Sequence, residues 1–565
     1  GPSRDGDRMT NKRRACSKRT ELAGLDPAAC VASRDADAAP ADGSMPDAGA
    51  AAPIADVGVD SGPPLPPLPT VGFIHGVASG DPLPDAVVLW TRFTPEAPLP
   101  ADVEVELVVA TDPALSDVVA TDTFTTDPSL DWTVKIDAGG LDPSTTYYFQ
   151  FRAGSFSSLI GRTKTAPDGE VDRLRFAVLS CASLAHGYFH VYRHVAALDV
   201  DACLFLGDYI YEYGTGGYGD ERPYEPDHEI VSIADYRQRY AQYRRDPDLQ
   251  AVHQQHPFLC VWDDHESANN AYRDGAQNHD ASEGDWGARK AVAYQAYLEW
   301  MPIRSDEPGK IWRALSYGTM ADVLLLDTRL WGRDEQIGRS ELGMDPTRSI
   351  LGADQELWLA EQLAESTATW KLLGQQVMVG QWDSESSDGG YIPTNYDQWD
   401  GYPDARRRLF DALDGVDNPV VLTGDIHSHW ALELTADPHD PGRYDPDTGM
   451  GSIGVEFVTS GVTSPGVEGI VGTAIENAAY DANPHIRYVN FKQRGWIVLD
   501  LTAGELLADY FVVDGVRADQ GEASFATGYA VASGMPRLTE RTAPSPARTD
   551  AAPFAPDPPA RRLPR

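Results

Sequence analysis

Two rhythms of apolar and polar residues divide the chain. From Val71 to about Pro167, short alternating runs such as VEVELVVAT, WTVKID and TTYYFQFRAG are separated by the turn signals DP, DPS and LDPST. Side chains along a strand point to its two faces in turn, so this period predicts half-buried strands. Their spacing predicts a β-sandwich of roughly 100 residues. From about Val171 the apolar runs are continuous: RFAVLS, ACLFLGD, FLCVWDDHE, ADVLLLDTR, KLLGQQVMVG, VVLTGDIH, VEFVTSG and WIVLDLT. Helical stretches lie between them. One is GDWGARKAVAYQAYLEWM; another is ADQELWLAEQLAES, with Trp358, Leu359 and Leu363 at helical spacing and Asp354 near its start. Continuous apolar strands alternating with helices predict an α/β domain whose strands are buried on both faces.

The flanks read differently. Residues from about 26 to 70 are dominated by Ala, Asp, Pro and Gly, a composition that cannot bury enough apolar area to offset ordering entropy. The expected organisation is a disordered spacer over 1–70, an all-β sandwich over 71–168, the α/β domain over 169–516, and a mostly disordered Pro/Ala/Arg-rich tail over 517–565. The stretch LDPSTTYYFQFRAG gives the sandwich a generic resemblance to fibronectin type III modules, which carries no function.

Charge narrows the partners. The net charge of −40 argues against nucleic acid, and an anionic substrate would need local positive charge, most simply from metal ions. The five cysteines show no CxxC spacing and form no disulfide framework. Cys203 and Cys260 lie inside apolar runs and are expected to be buried free thiols; Cys181 sits just past the end of its strand. No run of 18 apolar residues predicts a membrane span, and no signal peptide is visible behind Lys12, Arg13 and Arg14. A monomer is expected, with a small molecule as partner.

Four strand ends carry metal-ligand side chains. They are Cys181 after FAVLS, Asp208 and Tyr211 after CLFLG, Asp263, Asp264, His265, Glu266 and Asn269 after FLCVW, and Asp425 with His427 after VVLTG. The carboxyl ends of strands in an α/β sheet converge on one edge. Oxygen donors suit hard cations such as Ca²⁺ or Mg²⁺, whereas thiolate, imidazole and anionic oxygen together suit a transition metal, and a tyrosinate points to Fe³⁺. Singly, each has an ordinary reading: a turn for Gly207-Asp208, packing for Tyr211, a buried thiol for Cys181, a hydrogen-bonded core histidine for His427. Jointly they describe a multinuclear site. By alternation Tyr209 points the other way, into packing.

At this point the chain resembles the alkaline phosphatase D (PhoD) family of metallophosphoesterase-like enzymes. The segments that carry the resemblance include HGVASGDP (75–82), VVLWTR (87–92), HGYFHVYRH (186–194), LGDYIYEYG (206–214), VWDDHESANN (261–270), LLLDTR (324–329), LGADQELWL (351–359), DQWDGYP (397–403) and LTGDIHSHW (422–430), in order from about Val71 to Leu501. The resemblance implies a layered metallophosphoesterase-like sheet with flanking helices. It implies Fe³⁺ held by Cys181, Asp208, Tyr211 and His427, with one or two Ca²⁺ beside it, Asp208 bridging, and Asp425 and Asn269 completing the oxygen-rich side. Asp264 is open between direct ligand and support for Asn269. His265 is open between transition-state stabiliser or proton donor and a histidine that orients a ligand. Asp263 is expected to be structural.

No GxSxG elbow and no P-loop is present. The expected reaction is hydrolysis of phosphate monoesters by metal-activated water, with Asp208, Asp264 and His265 at the chemistry. Two alternatives are kept: a phosphodiesterase or phospholipase D-type activity, and a secreted binding protein with a structural metal site. The spacer and the metal set favour a secreted, periplasmic or cell-surface protein.

Overall fold

A computed structural model describes residues 70–305, 307–383 and 393–556. The expected spacer, apart from Thr70, lies outside the described residues, as do Cys16 and Cys30. Each continuous apolar run forms a strand: Leu174–Leu179, Ala202–Leu206, Pro257–Val261, Ala321–Leu325, Trp370–Gly374, Pro419–Thr423, Gly454–Val458 and Gly495–Leu501. Their residues are buried almost without exception, which is why the sequence shows no alternation there.

The strands belong to two large sheets. In the ten-stranded sheet the order from one edge is Thr539–Arg541, Ala523–Ala532, Glu505–Val513, Gly495–Leu501, Leu174–Leu179, Ala202–Leu206, Pro257–Val261, Val77–Gly80, Ala86–Arg92 and Thr133–Gly139. In the seven-stranded sheet it is Arg313–Tyr317, Ala321–Leu325, Trp370–Gly374, Pro419–Thr423, Gly454–Val458, His429–Leu434 and Ile486–Asn490. The four strands at the heart of the first sheet, from Leu174–Leu179 to Val77–Gly80, run parallel, as do the four from Ala321–Leu325 to Gly454–Val458 in the second. One core lies between the sheets: Phe176, Leu204 and Leu259 of the first share it with Val323, Leu372 and Val420 of the second. The rings of Phe176 and Tyr317 meet edge to face at 5.0 Å across it. Helices flank the sheets, among them Trp286–Trp300 and Ala353–Glu365, at the two places the periodicity predicts. No helix among the described residues is long and apolar enough to cross a membrane.

The N-terminal strands form a sandwich, but its two layers differ in membership. A five-stranded sheet (Val103–Ala110, Val118–Thr126, Thr146–Ala153, Phe156–Ser157, Gly161–Lys164) supplies one layer. The facing layer is the edge of the ten-stranded sheet: Val87, Leu89, Val134 and Ile136 pack against Val105, Leu107, Val109, Phe149 and Phe151. Val77–Gly80 pairs in parallel with Pro257–Val261, so hydrogen bonding runs unbroken through the point where the chain changes rhythm.

The tail corrects the sequence reading. Residues 517–565 were expected to be mostly disordered, yet Ala523–Ala532 and Thr539–Arg541 complete the ten-stranded sheet, with Tyr529 and Val531 buried. The segment beyond lies against the body: Arg548 pairs with buried Asp201, Ser545 bonds Asp509, and Ala555 is buried beside Gln255. A Pro- and Ala-rich segment cannot build a core, but it can lie along one already built, where its backbone groups find partners. Residues 557–565 lie outside the described residues.

Candidate metal centre

The predicted donors come together at the carboxyl ends of the parallel strands. Gly207 makes the closest approach possible. Its φ is +101°, and a Cβ there would lie 2.4 Å from the Cβ of Asp263, so only glycine lets the two strand ends meet. Cys181, Asp208, Asp425 and His427 all hold left-handed backbone conformations, with φ between 52° and 59°. Each is disfavoured for a residue with a side chain, by about 1 kcal/mol or more, and such strain persists where the surroundings impose it, commonly at functional sites.

Asp208 is the hub. Tyr211 Oη donates to Asp208 Oδ2 at 2.9 Å and lies 3.3 Å from His427 Nε2, which is itself 3.8 Å from Asp208 Oδ2. Ligand atoms of Cys181, Asp208 and His427 lie within 4.8 Å of one another, as do those of Asp208, Asp264 and His265, and those of Asp263, Asp264 and Asp425. Asp208 and Asp264 thus each belong to two sets. Asp264 Oδ2 accepts the Asn270 N–H at 2.6 Å, and its Oδ1 accepts the His265 N–H at 3.0 Å. Asn269 is placed otherwise. Its backbone N–H goes to Glu212 and its side-chain amide to Gln277 at 3.3 Å; no contact among the described residues carries it to Asp208, Asp264 or Asp425. Tyr209 points away, its hydroxyl 2.9 Å from His253. Cys203 and Cys260 are buried free thiols.

His265 is oriented from two sides. Its Nδ1 lies 2.6 Å from Glu212 Oε2, and its ring stacks on that of Tyr211 with centroids 4.2 Å apart. Burial alone would lower its pKa, but Asp264, Glu212 and Asp208 outweigh that and raise it well above the usual imidazole value. Asp208 shows the opposite environment. Burial pushes its carboxyl well above the usual range; His265 opposes this, and the charges of Asp264, Glu266 and Asp425 add to it. Burial first and then Asp208 raise the Cys181 thiol and the Tyr211 phenol. Burial, Arg494 and His265 lower His427. Burial thus favours the protonated form of three neighbouring donors, and a strongly charged cation would act against it on all three.

Buried polar atoms test that fit. Asp208 Oδ1 and His427 Nδ1 have no hydrogen-bond partner, although nearly all buried polar atoms in folded proteins have one. Carboxylate, thiol, phenol and imidazole around an unpartnered oxygen match the mixed donor set of a transition metal, and the neighbouring carboxylates match a hard cation.

Of the residues that hold these donors, the sequence reading names only Glu266, and as a candidate ligand. Glu266, fully buried, accepts the backbone N–H groups of Asp208 (3.1 Å), Tyr209 (2.6 Å) and Asp263 (2.8 Å) and so ties two strand ends together. Arg494 donates to the backbone carbonyls of His427, Ser460 and Ser464. Ser464 lies 2.5 Å from Tyr211 Oη. Arg329 and Asp397 sit on the far side of Asp425. Glu212, Glu266, Arg329 and Asp397 all lie inside segments that carried the family resemblance; charged residues in a buried strand end were the available signal.

Known proteins fix the class. The family model for PhoD-like phosphatases matches residues 176–510, and that for the N-terminal domain of PhoD-like phosphatases matches residues 60–167. Alkaline phosphatase D of Bacillus subtilis (strain 168) is 37% identical over 465 residues, which cover 78% of this chain and 77% of that relative. A solved structure of PhoD superposes with a TM-score of 0.78 at 35% identity, covering 85% of this chain and 94% of the other. Fold, donor set and relatives together define a phosphoric ester hydrolase acting through metal-dependent chemistry. The chain belongs to the PhoD-like phosphatase family.

Proposed function

We propose that this protein is a phosphomonoesterase that works with Fe³⁺ and Ca²⁺. The observation that carries the reading is Asp208: a buried carboxylate shared by two donor sets, with one oxygen on Tyr211 and the other unpartnered. Cys181, Asp208, Tyr211 and His427 would hold the iron. Asp208, Asp264 and Asp425 would hold calcium, joined by Asn269 once its amide exchanges Gln277 for the ion. Bound there, the ions neutralise phosphate oxygens and acidify a water at neutral pH.

The remaining steps belong to side chains. Glu212 holds His265 by Nδ1, which leaves Nε2 as the nitrogen to donate a proton to the departing ester oxygen. Glu266 and Arg494 keep the strained Asp208 and His427 backbones in place, so the donors need no rearrangement when substrate arrives. The bulk charge of −40 does not oppose an anionic substrate at contact range, because exposed charges are screened beyond roughly 8–10 Å. We place the enzyme outside the cytoplasm, on the acidic Ala/Pro-rich spacer and the calcium requirement; fractionation of cells that carry it checks this.

The test combines metal analysis, a visible spectrum and a substrate panel. Iron and calcium in the purified protein, a broad visible band from tyrosinate to Fe³⁺, and faster turnover of a p-nitrophenyl monoester than of its diester or of phospholipid are expected. A colourless protein that holds only zinc defeats the metal assignment. A clear preference for the diester defeats the substrate assignment alone.

A further inference from the structure

Arg329 follows the strand Ala321–Leu325 and its side chain is fully buried. Its nitrogens reach three carboxylates: Nε to Asp263 Oδ1 at 2.5 Å, Nη1 to Asp397 Oδ2 at 2.8 Å and Nη2 to Asp425 Oδ1 at 2.7 Å. Nη2 also lies 3.8 Å from Asp264 Oδ2. Asp263, Asp264 and Asp425 are the same residues whose oxygens lie close enough together to share a metal ion. Three carboxylates at that spacing, two of them fully buried and the third mostly so, repel one another strongly unless a cation lies among them. A guanidinium is suited to the task, because it is always charged and its planar fork meets several carboxylates at once.

The neighbouring Asp208 side has no such group: among the described residues, no arginine or lysine side chain bonds Asp208 or Cys181. The two sides of one site are therefore neutralised by different means. Arg329 is itself held from behind. Arg333 Nη2 bonds Asp397 Oδ1 at 2.6 Å, which fixes the carboxylate that fixes Arg329. With Asp425 Oδ1 committed to Arg329, its Oδ2, 3.2 Å from Gln398 Nε2, is the oxygen left to face the centre.

We propose that Arg329 is the resident cation of the Asp263–Asp264–Asp425 set, standing where an ion would otherwise bind and so limiting how many ions the centre takes up. Arg329 is a positioning residue: it sets which oxygen of Asp425 is available and keeps a further ion out of the space between Asp263, Asp264 and Asp425. The inference rests on the metal-dependent reading above.

The experiment counts metal per chain in the full-length protein, saturated with calcium and iron and freed of excess by gel filtration. Arg329→Met removes the charge and leaves the carboxylates. This variant is expected to carry one further divalent cation per chain, and its turnover is expected to fall. Arg329→Lys keeps the charge without the fork, so the wild-type metal count with lowered turnover is expected. If Arg329→Met does not fold, combining it with Asp263→Asn removes a carboxylate together with the guanidinium; Asp264 and Asp425 still face the vacated space, and a metal count above that of wild type is again expected. A metal-loaded wild type and an unchanged count in Arg329→Met, or in the double variant where Arg329→Met does not fold, overturns this inference alone. A wild type that binds no metal overturns the reading beneath it.

Discussion

The two sides of the site solve the same electrostatic problem differently. On the Arg329 side, carboxylates meet a guanidinium at 2.5–2.8 Å, so the protein itself supplies the cation, although Asp263 Oδ2 stays unpartnered. On the Asp208 side, a carboxylate, a thiol, a phenol and an imidazole are gathered, all but the phenol on strained backbone, with Asp208 Oδ1 and His427 Nδ1 unpartnered. The first is built to be permanent. The second is built to be completed. A fold that spends backbone strain on three neighbouring donors and leaves atoms of two of them unpartnered is prepared for a strong external charge.

The sharpest way to break this contrast is at its hub. Asp208→Asn keeps the shape and removes the charge; the expected loss of turnover is on the order of 10³-fold or more, because a carboxylate in the role proposed for Asp208 would supply several kcal/mol of transition-state stabilisation. Iron content and the visible band should disappear with it, while the melting temperature measured without metal stays near that of the wild-type apoprotein. A variant with full iron content would move the hub elsewhere.

A smaller effect separates holding metal from handling the proton. Glu212→Gln removes the charge that orients His265, and a loss of about 10–100-fold in kcat is expected, as for other groups that support a site from behind. Iron content should not change. Loss of iron along with activity would show that Glu212 supports the ligands rather than His265.

The smallest expected effect is a control far from the site. Arg548→Ala breaks an ion pair with buried Asp201, which keeps Lys164 at 2.6 Å as a second partner. Because that partner remains, the cost should be about 1–2 kcal/mol, below the 3–5 kcal/mol of stranding a buried charge. Denaturant unfolding would measure it, and kcat/KM should not move. A change in kcat/KM would show that the tail is coupled to the site.

The parts of this molecule legible in its sequence are those written locally. The buried strands announce themselves as unbroken apolar runs, and the donors stand immediately after them, so Cys181, Asp208, Asp425 and His427 could be named from position alone. The groups that hold the donors are long-range partners. Glu266 acts on Tyr209, 57 residues away, and Arg494 on His427, 67 residues away; neither spacing has a sequence signature. The sheet partners of Val77–Gly80 and of Ala523–Ala532 are hidden for the same reason. Asn269 shows the opposite limit: a correct residue type near the right strand end, whose side chain is set by its neighbour Gln277. The tail was misread because composition reports whether a segment can form its own core, not whether it can borrow one.

The unbroken ten-stranded sheet also sets a timetable. The strand Leu174–Leu179, which ends at Cys181, lies between Ala202–Leu206 and Gly495–Leu501, and the latter is made more than 300 residues later. Until that late strand arrives, one edge of the half-built sheet stays open to other chains, and nothing seals the Cys181 side. Pairings of such separation form slowly. The site therefore closes only after Gly495–Leu501 has been made, and the interval before closure is when this chain most needs shielding from its own kind.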